Sequence, residues 1–316
     1  MSDDAPPTRG AEPVSPASAR HTDALHERAF EEQRAYLWSI AYRMLGSTAE
    51  ADDIVQEAWL RARERAVPDV VSERAYLSTI VTRLCLDHWK SARVRREAYV
   101  GPWLPEPVRT DNNIDPESIS LAFMVLLESL SPIERAVYLL SEVFDYSHAE
   151  VSRIVDRDEA TCRQLLHRAR ERVRAQRPRF APSLDQHRQL LGGFVVACAQ
   201  GDLAGLERLL AHDVVATSDG GDKVHAAKLP IVGHARVARL LLGLFRKVPA
   251  AAAAEVALIN GLPALVIHHE GRVGAIVDIE TDGVRILSLR TIVNPEKLAL
   301  LARQITAARL PSRAAD

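Results

Sequence analysis

From residue 24 to residue 96 apolar residues recur at three- and four-residue spacing with almost no glycine or proline, which predicts three or four amphipathic helices. The stretch "EAYVGPWLPEPVRTDNNIDPE" (97–117) breaks that rhythm and reads as a linker by its prolines and turn residues. Helical spacing returns over 118–178. Ser131, Pro132 and Glu134 mark one helix start, above a buried face of Val137, Leu140 and Phe144. Ser147 and Glu150 have capping-box spacing and start a short helix carrying Val151, Ile154 and Val155. A turn at Asp156 and Arg157 leads into a longer helix that gathers Cys162, Leu165, Leu166, Ala169 and Val173 in one sector. Helix, short helix, tight turn, helix is a helix-turn-helix arrangement.

After "RPRFAPS" the period shortens to two. "AEVALIN", "PALVIHHE", "VGAIVDIE" and "VRILSLRTIV", separated by glycine turns, predict strands, with helices before and after them. "HRQLLGGFVVACAQGDLAGLERLL" and "HARVARLLLGLF" supply helices to wrap a curved sheet of four or more strands. The expected architecture is multidomain: two all-α domains, 24–96 and 118–178, the second a helix-turn-helix, then an α+β cone domain over 187–307. Residues 1–23 are rich in Pro, Ser, Ala and Asp and read as a disordered tail.

Composition narrows the function. A chain of 316 residues with 47% hydrophobic and 26% charged residues has no run of eighteen apolar residues, so no membrane partner is expected. Cys85, Cys162 and Cys198 lie far apart on apolar faces without metal-ligand spacing, which suggests core thiols in a reducing cytoplasm and no metal or cofactor. The net charge is −2, yet the segment from Arg163 to Phe180 holds seven arginines against one acid, Glu171. Arg163, His167, Arg170 and Arg174 cluster a third of a turn from the packing sector. A solvated surface helix would look similar, but as the second helix of a helix-turn-helix this face is suited to the major groove of DNA. Glu50, Asp52, Asp53 and Glu57 load another helix with acid. In "AYLSTIVTRLCLDHWKSARVRRE" an apolar stem of Leu77, Ile80, Val81 and Leu84 runs into Trp89, Lys90, Arg93, Arg95 and Arg96. Aromatic beside basic suits single-stranded DNA, with a core role for Trp89 and Tyr76 as the alternative.

"AEADDIVQEAWLRA", "YLSTIVTRLCLDHWKSARVRRE" and "LSPIERAVYLLSEVFDYSHAEVSRIVDRDEATCRQLLHRARERV" resemble, in order and spacing, regions 2.2, 2.3–2.4 and 4 of extracytoplasmic-function RNA polymerase sigma factors. "WLPEP" (103–107), "DGGDK" (219–223) and "NPEKL" (294–298) resemble signatures of the subgroup with a fused SnoaL-like, NTF2-like C-terminal domain. The resemblance implies a sigma factor whose partners are core RNA polymerase, through its β′ and β subunits, and promoter DNA. It implies polymerase binding by Asp53, Gln56, Glu57 and Leu60, minus-10 contacts by Tyr76, Arg83, Trp89, Lys90 and Arg93, and minus-35 contacts by Thr161, Arg163, Gln164, His167 and Arg168. Leu165 stands where many relatives carry a basic residue, and Asp222 replaces a glycine of the family's "DGGGK" loop.

The third domain is expected to regulate the other two. The resemblance brings Trp103 and Pro105 of the linker together with Asp219 and Lys223 of "DGGDK" and Asn294 and Lys297 of "NPEKL". Trp103 is an aromatic that a plain spacer does not need, though it could equally pack on the first domain. "DGGDK" reads as an exposed loop, and Lys297, in a helix started by Asn294 and Pro295, is expected near the surface. A cone domain commonly encloses a pocket, leaving room for an unidentified small-molecule ligand, with Asp213, Asp219, His225, His269 and Asp278 as its polar candidates. His268 and His269 point to opposite faces of a strand, so at most one enters the interior. An isomerase- or cyclase-type enzyme with DNA-binding attachments is the competing reading. No pair of polar residues has a spacing that demands catalysis, so no catalytic residue is assigned.

Overall fold

A computed structural model describes residues 16–64, 72–110, 118–176 and 182–309, with the side chains of 16–27, 29, 64, 91–95, 97 and 309 outside that description. The first unit is three helices, α1 (Pro16–Leu45), α2 (Thr48–Glu64) and α3 (Glu73–Glu97). Leu37, Ile40, Ala41, Ile54, Val55, Ala58, Leu77 and Val81 are buried between them at helical spacing. Helix α1 begins at Pro16, inside the segment expected to be a disordered tail: no glycine or further proline interrupts "ASARHTDALHERA". The rest of that segment, residues 1–15, lies outside the described residues.

The second unit comprises α4 (Leu121–Leu127), α5 (Pro132–Glu142), α6 (His148–Val155) and α7 (Glu159–Gln176). Both anticipated capping boxes form, Ser131 with Glu134 and Ser147 with Glu150. Asp156, in the left-handed conformation at φ 54°, ends α6 and makes the turn into α7. One buried cluster runs through both helical units, from Phe30 to Val173.

The third unit opens with α8 (Leu184–Gln200) and α9 (Leu203–Leu209) and contains α10 (His234–Phe245). Its six strands are β1 (Leu210–Asp219), β2 (Ile231–Val232), β3 (Ala253–Ile259), β4 (Leu262–His269), β5 (Arg272–Thr281) and β6 (Ile286–Ile292). They form one sheet of order β2-β1-β6-β5-β4-β3, antiparallel except where β1 runs parallel to β6. The four expected runs are β3 to β6; β1 escaped notice because His212, Asp213 and Thr217 blur its alternation. One face of the sheet buries Val214, Leu265, Val277 and Leu289 under α8, α9 and α10. The other buries Val266, Ile276 and Ile292 under α11 (Pro295–Arg309), together with Leu104 of the linker and Leu121 of α4. The linker and the second unit are therefore part of the third unit's core.

The described part of the linker, up to Thr110, is held at several points. Glu106 takes over the N-terminus of α2, accepting from the Ser47 hydroxyl (2.7 Å) and from the Thr48 amide (2.9 Å) and hydroxyl (2.5 Å). The amide of Thr110 donates to the carbonyl of Leu258 (3.0 Å), so the linker extends the sheet along the exposed edge of β3. Asn260 and Gly261, both at positive φ (50° and 79°), turn β3 into β4. The buried Asn260 side chain accepts from the Val108 amide (3.0 Å) and donates to the Tyr42 hydroxyl (2.8 Å) and the Ile119 carbonyl (3.0 Å). One hairpin tip thus touches all three units.

Gly46 shows how tightly the linker sits on the first unit. Its φ is 70°, and a Cβ there would lie 2.6 Å from Cη2 of Trp103. Gly46→Ala is expected to destabilise the protein by at least about 1–2 kcal/mol from left-handed backbone strain, before any displacement of Trp103. A urea midpoint unchanged from the wild type would contradict this packing.

Candidate nucleic-acid and interdomain interfaces

The basic helix α7 begins at a cap. Asp158 accepts from the amide (2.8 Å) and hydroxyl (2.7 Å) of Thr161, so the hydroxyl expected to reach DNA is engaged in holding the helix start. Cys162, Leu165, Leu166, Ala169 and Val173 are buried, which puts Leu165 on the packing side. Arg163, Gln164, His167 and Arg168 are exposed. The flanking arginines are tethered: Arg172 lies 2.8 Å and Arg168 3.6 Å from the carboxylate of Glu134, and Arg170 lies 2.5 Å from Glu142. Burial alone would raise the carboxyl of Glu134, but Ser131 and the two arginines hold it below the ordinary range. Arg163, Gln164 and His167 project beside three anchored arginines, an arrangement chemically suited to a phosphate backbone and base edges.

On α2, Asp53, Gln56, Glu57 and Leu60 fall at spacings i, i+3, i+4 and i+7 and form one face. Asp53 and Gln56 are exposed, Glu57 pairs with Arg61 (2.9 Å), and Leu60 keeps 48% of its surface accessible. An acidic rim around an exposed leucine is chemically suited to a basic partner.

Helix α3 departs from expectation. Lys90 is exposed, with Asp87 at 3.4 Å. Trp89 is core: its indole donates to the Met44 carbonyl (3.0 Å), and the guanidinium groups of Arg96 and Arg135 lie 4.4 and 4.8 Å from its ring centroid. Its stacking capacity is spent on two cations rather than on a base. Tyr76 is half-buried against the same helical core, as the alternative reading allowed. Arg83 donates to the carbonyls of Ile154 and Arg153 (both 3.0 Å) at the C-terminal end of α6, joining the first unit to the helix-turn-helix. The side chain of Arg93 lies outside the described residues.

The three signature segments meet around one carboxylate. Asp219, at the end of β1, has no exposed surface and accepts from the Tyr99 hydroxyl (2.5 Å), the Leu104 amide (2.7 Å) and Nζ of Lys297 (2.7 Å). The Lys297 ammonium also donates to the Leu104 carbonyl (2.5 Å) and lies 4.1 Å from the Trp103 ring centroid. The Arg96 guanidinium is 3.9 Å from the same centroid. Trp103 therefore packs on the first unit and on the third at once. Asn294 donates to the Tyr99 hydroxyl (2.8 Å), and Pro105 is buried nearby. Lys297 is buried rather than near the surface, and Asp219 and Gly220 are buried in a loop read as exposed. Asp222 and Lys223 do face solvent, Lys223 between Asp222 (3.5 Å) and Glu296 (3.4 Å). Burial pushes Lys297 below the usual lysine range against the pull of Asp219, and burial and the Asp219 carboxylate push the Tyr99 phenol up.

The remaining polar candidates of the third unit do not converge. Asp213 and His225 are exposed. His268 is buried with Glu255 at 2.9 Å, whereas His269 faces outward, so the two do split between faces. Asp278 is buried beside Arg290 (3.2 Å), burial pushing its carboxyl up to about 6 against that partner.

Residues 29–95 match Sigma-70 region 2, and residues 120–173 match Sigma-70, region 4. The chain is 41% identical over 245 residues to the ECF RNA polymerase sigma factor SigJ of Mycobacterium tuberculosis H37Rv, covering 73% of this chain and 78% of that protein. It is 30% identical over 286 residues to a probable ECF RNA polymerase sigma factor, SigI, of M. tuberculosis CDC 1551, covering 88% and 96%. A crystal structure of M. tuberculosis SigJ matches with a TM-score of 0.66 and 34% identity, covering 86% of this chain and 98% of that one.

Glu134→Gln is expected to cost about 1–2 kcal/mol at neutral pH, through the weakened cap and the two released arginines. Because the carboxyl titrates below its unfolded value, that contribution is complete above the unfolded pKa and is lost as pH falls through the folded one. Denaturation curves at neutral and acid pH should therefore converge for the two proteins on acidification. A constant gap would contradict the pairing.

Proposed function

The chain belongs to the extracytoplasmic-function family of RNA polymerase sigma factors, and from that premise we propose how its three parts divide the work of promoter selection. It serves as a specificity subunit of transcription initiation rather than as an enzyme. The acidic face of α2, Asp53, Gln56, Glu57 and Leu60, docks on the clamp coiled coil of the β′ subunit, with β as the second polymerase contact. Tyr76, Arg83, Lys90 and Arg93 hold the minus-10 strand. Arg163, Gln164, His167 and Arg168 read the minus-35 element, with Thr161 setting the start of their helix. Trp89 is assigned to packing, because Met44 and Arg96 of its own unit hold it whatever the second unit does. The protein works in the cytoplasm with its polymerase, and among the described residues no helix is long and apolar enough to cross a membrane.

On this reading the arrangement is a closed state of the factor. Elements named for positions 10 and 35 lie on the order of 80 Å apart along B-DNA at 3.4 Å per base pair. Here the two reading units touch, through Arg83 on α6 and through Tyr146, whose hydroxyl bonds those of Tyr36 (3.1 Å) and Ser78 (2.8 Å). They must separate before both elements are read. The linker governs that separation, and the observation that carries the proposal is its capture by the third unit through Asp219 and Lys297. The third unit is thus a built-in regulator, and a small molecule that regulates the protein would act on this lock.

Two outcomes test the division. Asp53→Lys with Glu57→Lys should abolish co-elution with core polymerase while the protein stays folded, since like charges close to a basic clamp cost several kcal/mol. Lys297→Met, which keeps the stem and removes the ammonium, should raise transcription from a cognate promoter several-fold without weakening polymerase binding. Unchanged or lower transcription from a folded Lys297→Met protein would refute the regulatory role.

A further inference from the structure

Between α11 and the end of the β4–β5 hairpin lies an open groove of about 550 Å³. It opens on the sheet face that carries α11, away from the interior under α8, α9 and α10. Its existence follows from side-chain size. Gly271, Ala299, Ala302 and Ala307 are small residues where the two walls pass, while Leu298, Ile305 and Val273 form an apolar floor. Cationic groups stand on both walls: Arg272 on the hairpin and Arg303 on α11, each exposed and neither with an acidic partner among the described residues. The nearby acids are occupied, Glu255 with His268 (2.9 Å) and Glu270 with His269 (3.9 Å).

A volume of this size takes a small organic molecule, and apolar walls with a few convergent polar groups are the usual form of such a site. Two guanidinium groups lining one apolar groove, one from each wall, suit an anionic head held by charge-assisted hydrogen bonds. We propose that this groove binds a small carboxylate amphiphile, its head between Arg272 and Arg303 and its apolar body along Leu298, Ala302 and Ile305. Resting on the regulatory reading above, the site has a route to the lock. Leu298 is in its floor, and Lys297, the next residue of the same helix, holds Asp219 on the other side. A ligand seated against Leu298 bears on the helical turn that carries Lys297, and it favours the open state by binding more tightly once the Lys297 contact is broken.

The test uses the full-length protein and decanoate as probe. Calorimetry should show saturable binding of decanoate, with decanol at least about tenfold weaker, the cost of one charge-assisted pair. Arg272→Glu with Arg303→Glu should lose decanoate binding, and Ala302→Trp, which fills the groove without touching charge, should lose it too. Equal binding of decanol, or decanoate binding that survives both variants, would overturn the site. In transcription with core polymerase, decanoate should raise output from the wild type and leave the Ala302→Trp protein unmoved; binding without that response would overturn the link to the lock. Failure of the sigma-factor reading would appear differently, as no promoter-specific transcription with or without the probe while calorimetry still registers binding.

Discussion

The arrangement rests on a buried carboxylate that belongs to the third unit and is satisfied by the linker. Asp219 is cut off from water, so its charge has to be met by Lys297, Tyr99 and the Leu104 amide. Removing one partner of such a pair leaves a charge unpaired in a low-dielectric site, at a cost of about 3–5 kcal/mol. Two of the partners, Tyr99 and Leu104, are linker residues. The folded third unit therefore fixes where the linker runs.

From that point the constraint spreads outward through packed side chains. Lys297 and Arg96 share the ring of Trp103, and Arg96 shares Glu128 with Arg135 of the second unit. Glu106 fastens the next stretch of linker to the start of α2, and Asn260 fastens the one after to Tyr42 and Ile119. Each contact is modest, but they are in series on one chain segment. The two reading units touch directly, through Arg83, Tyr146 and a shared buried cluster, and the third unit adds a hold on the linker between them.

Much of this was legible in the sequence wherever the information is local. Capping boxes at Ser131 and Ser147, the packing sector of α7 and the alternation in β3 to β6 each depend on residues a few positions apart. The resemblance brought Trp103, Asp219, Asn294 and Lys297 together, but helical spacing could not show that Lys297 is sealed, because its counter-ion comes from β1 and its ceiling from the linker. Trp89 and Arg83 have the composition of nucleic-acid contacts, but Trp89 is held by Met44 and Arg96 of its own unit and by Arg135 of the second, and Arg83 by carbonyls of α6, partners that only the folded chain brings near. Asn260 left a signal that went unused: Asn-Gly between two alternating runs marks a tight hairpin, and an asparagine at its tip has spare donors to reach outward. Glu134 left one too, read only as a cap.

The central claim is that the Asp219–Lys297 contact, through the linker, keeps the reading units closed. Distances between nitroxide labels at positions 61 on α2 and 174 on α7 measure it directly in the full-length protein. The account predicts one narrow, short distribution in the wild type and a broader one extending to longer distances in Lys297→Met. The same narrow distribution in both proteins would contradict it.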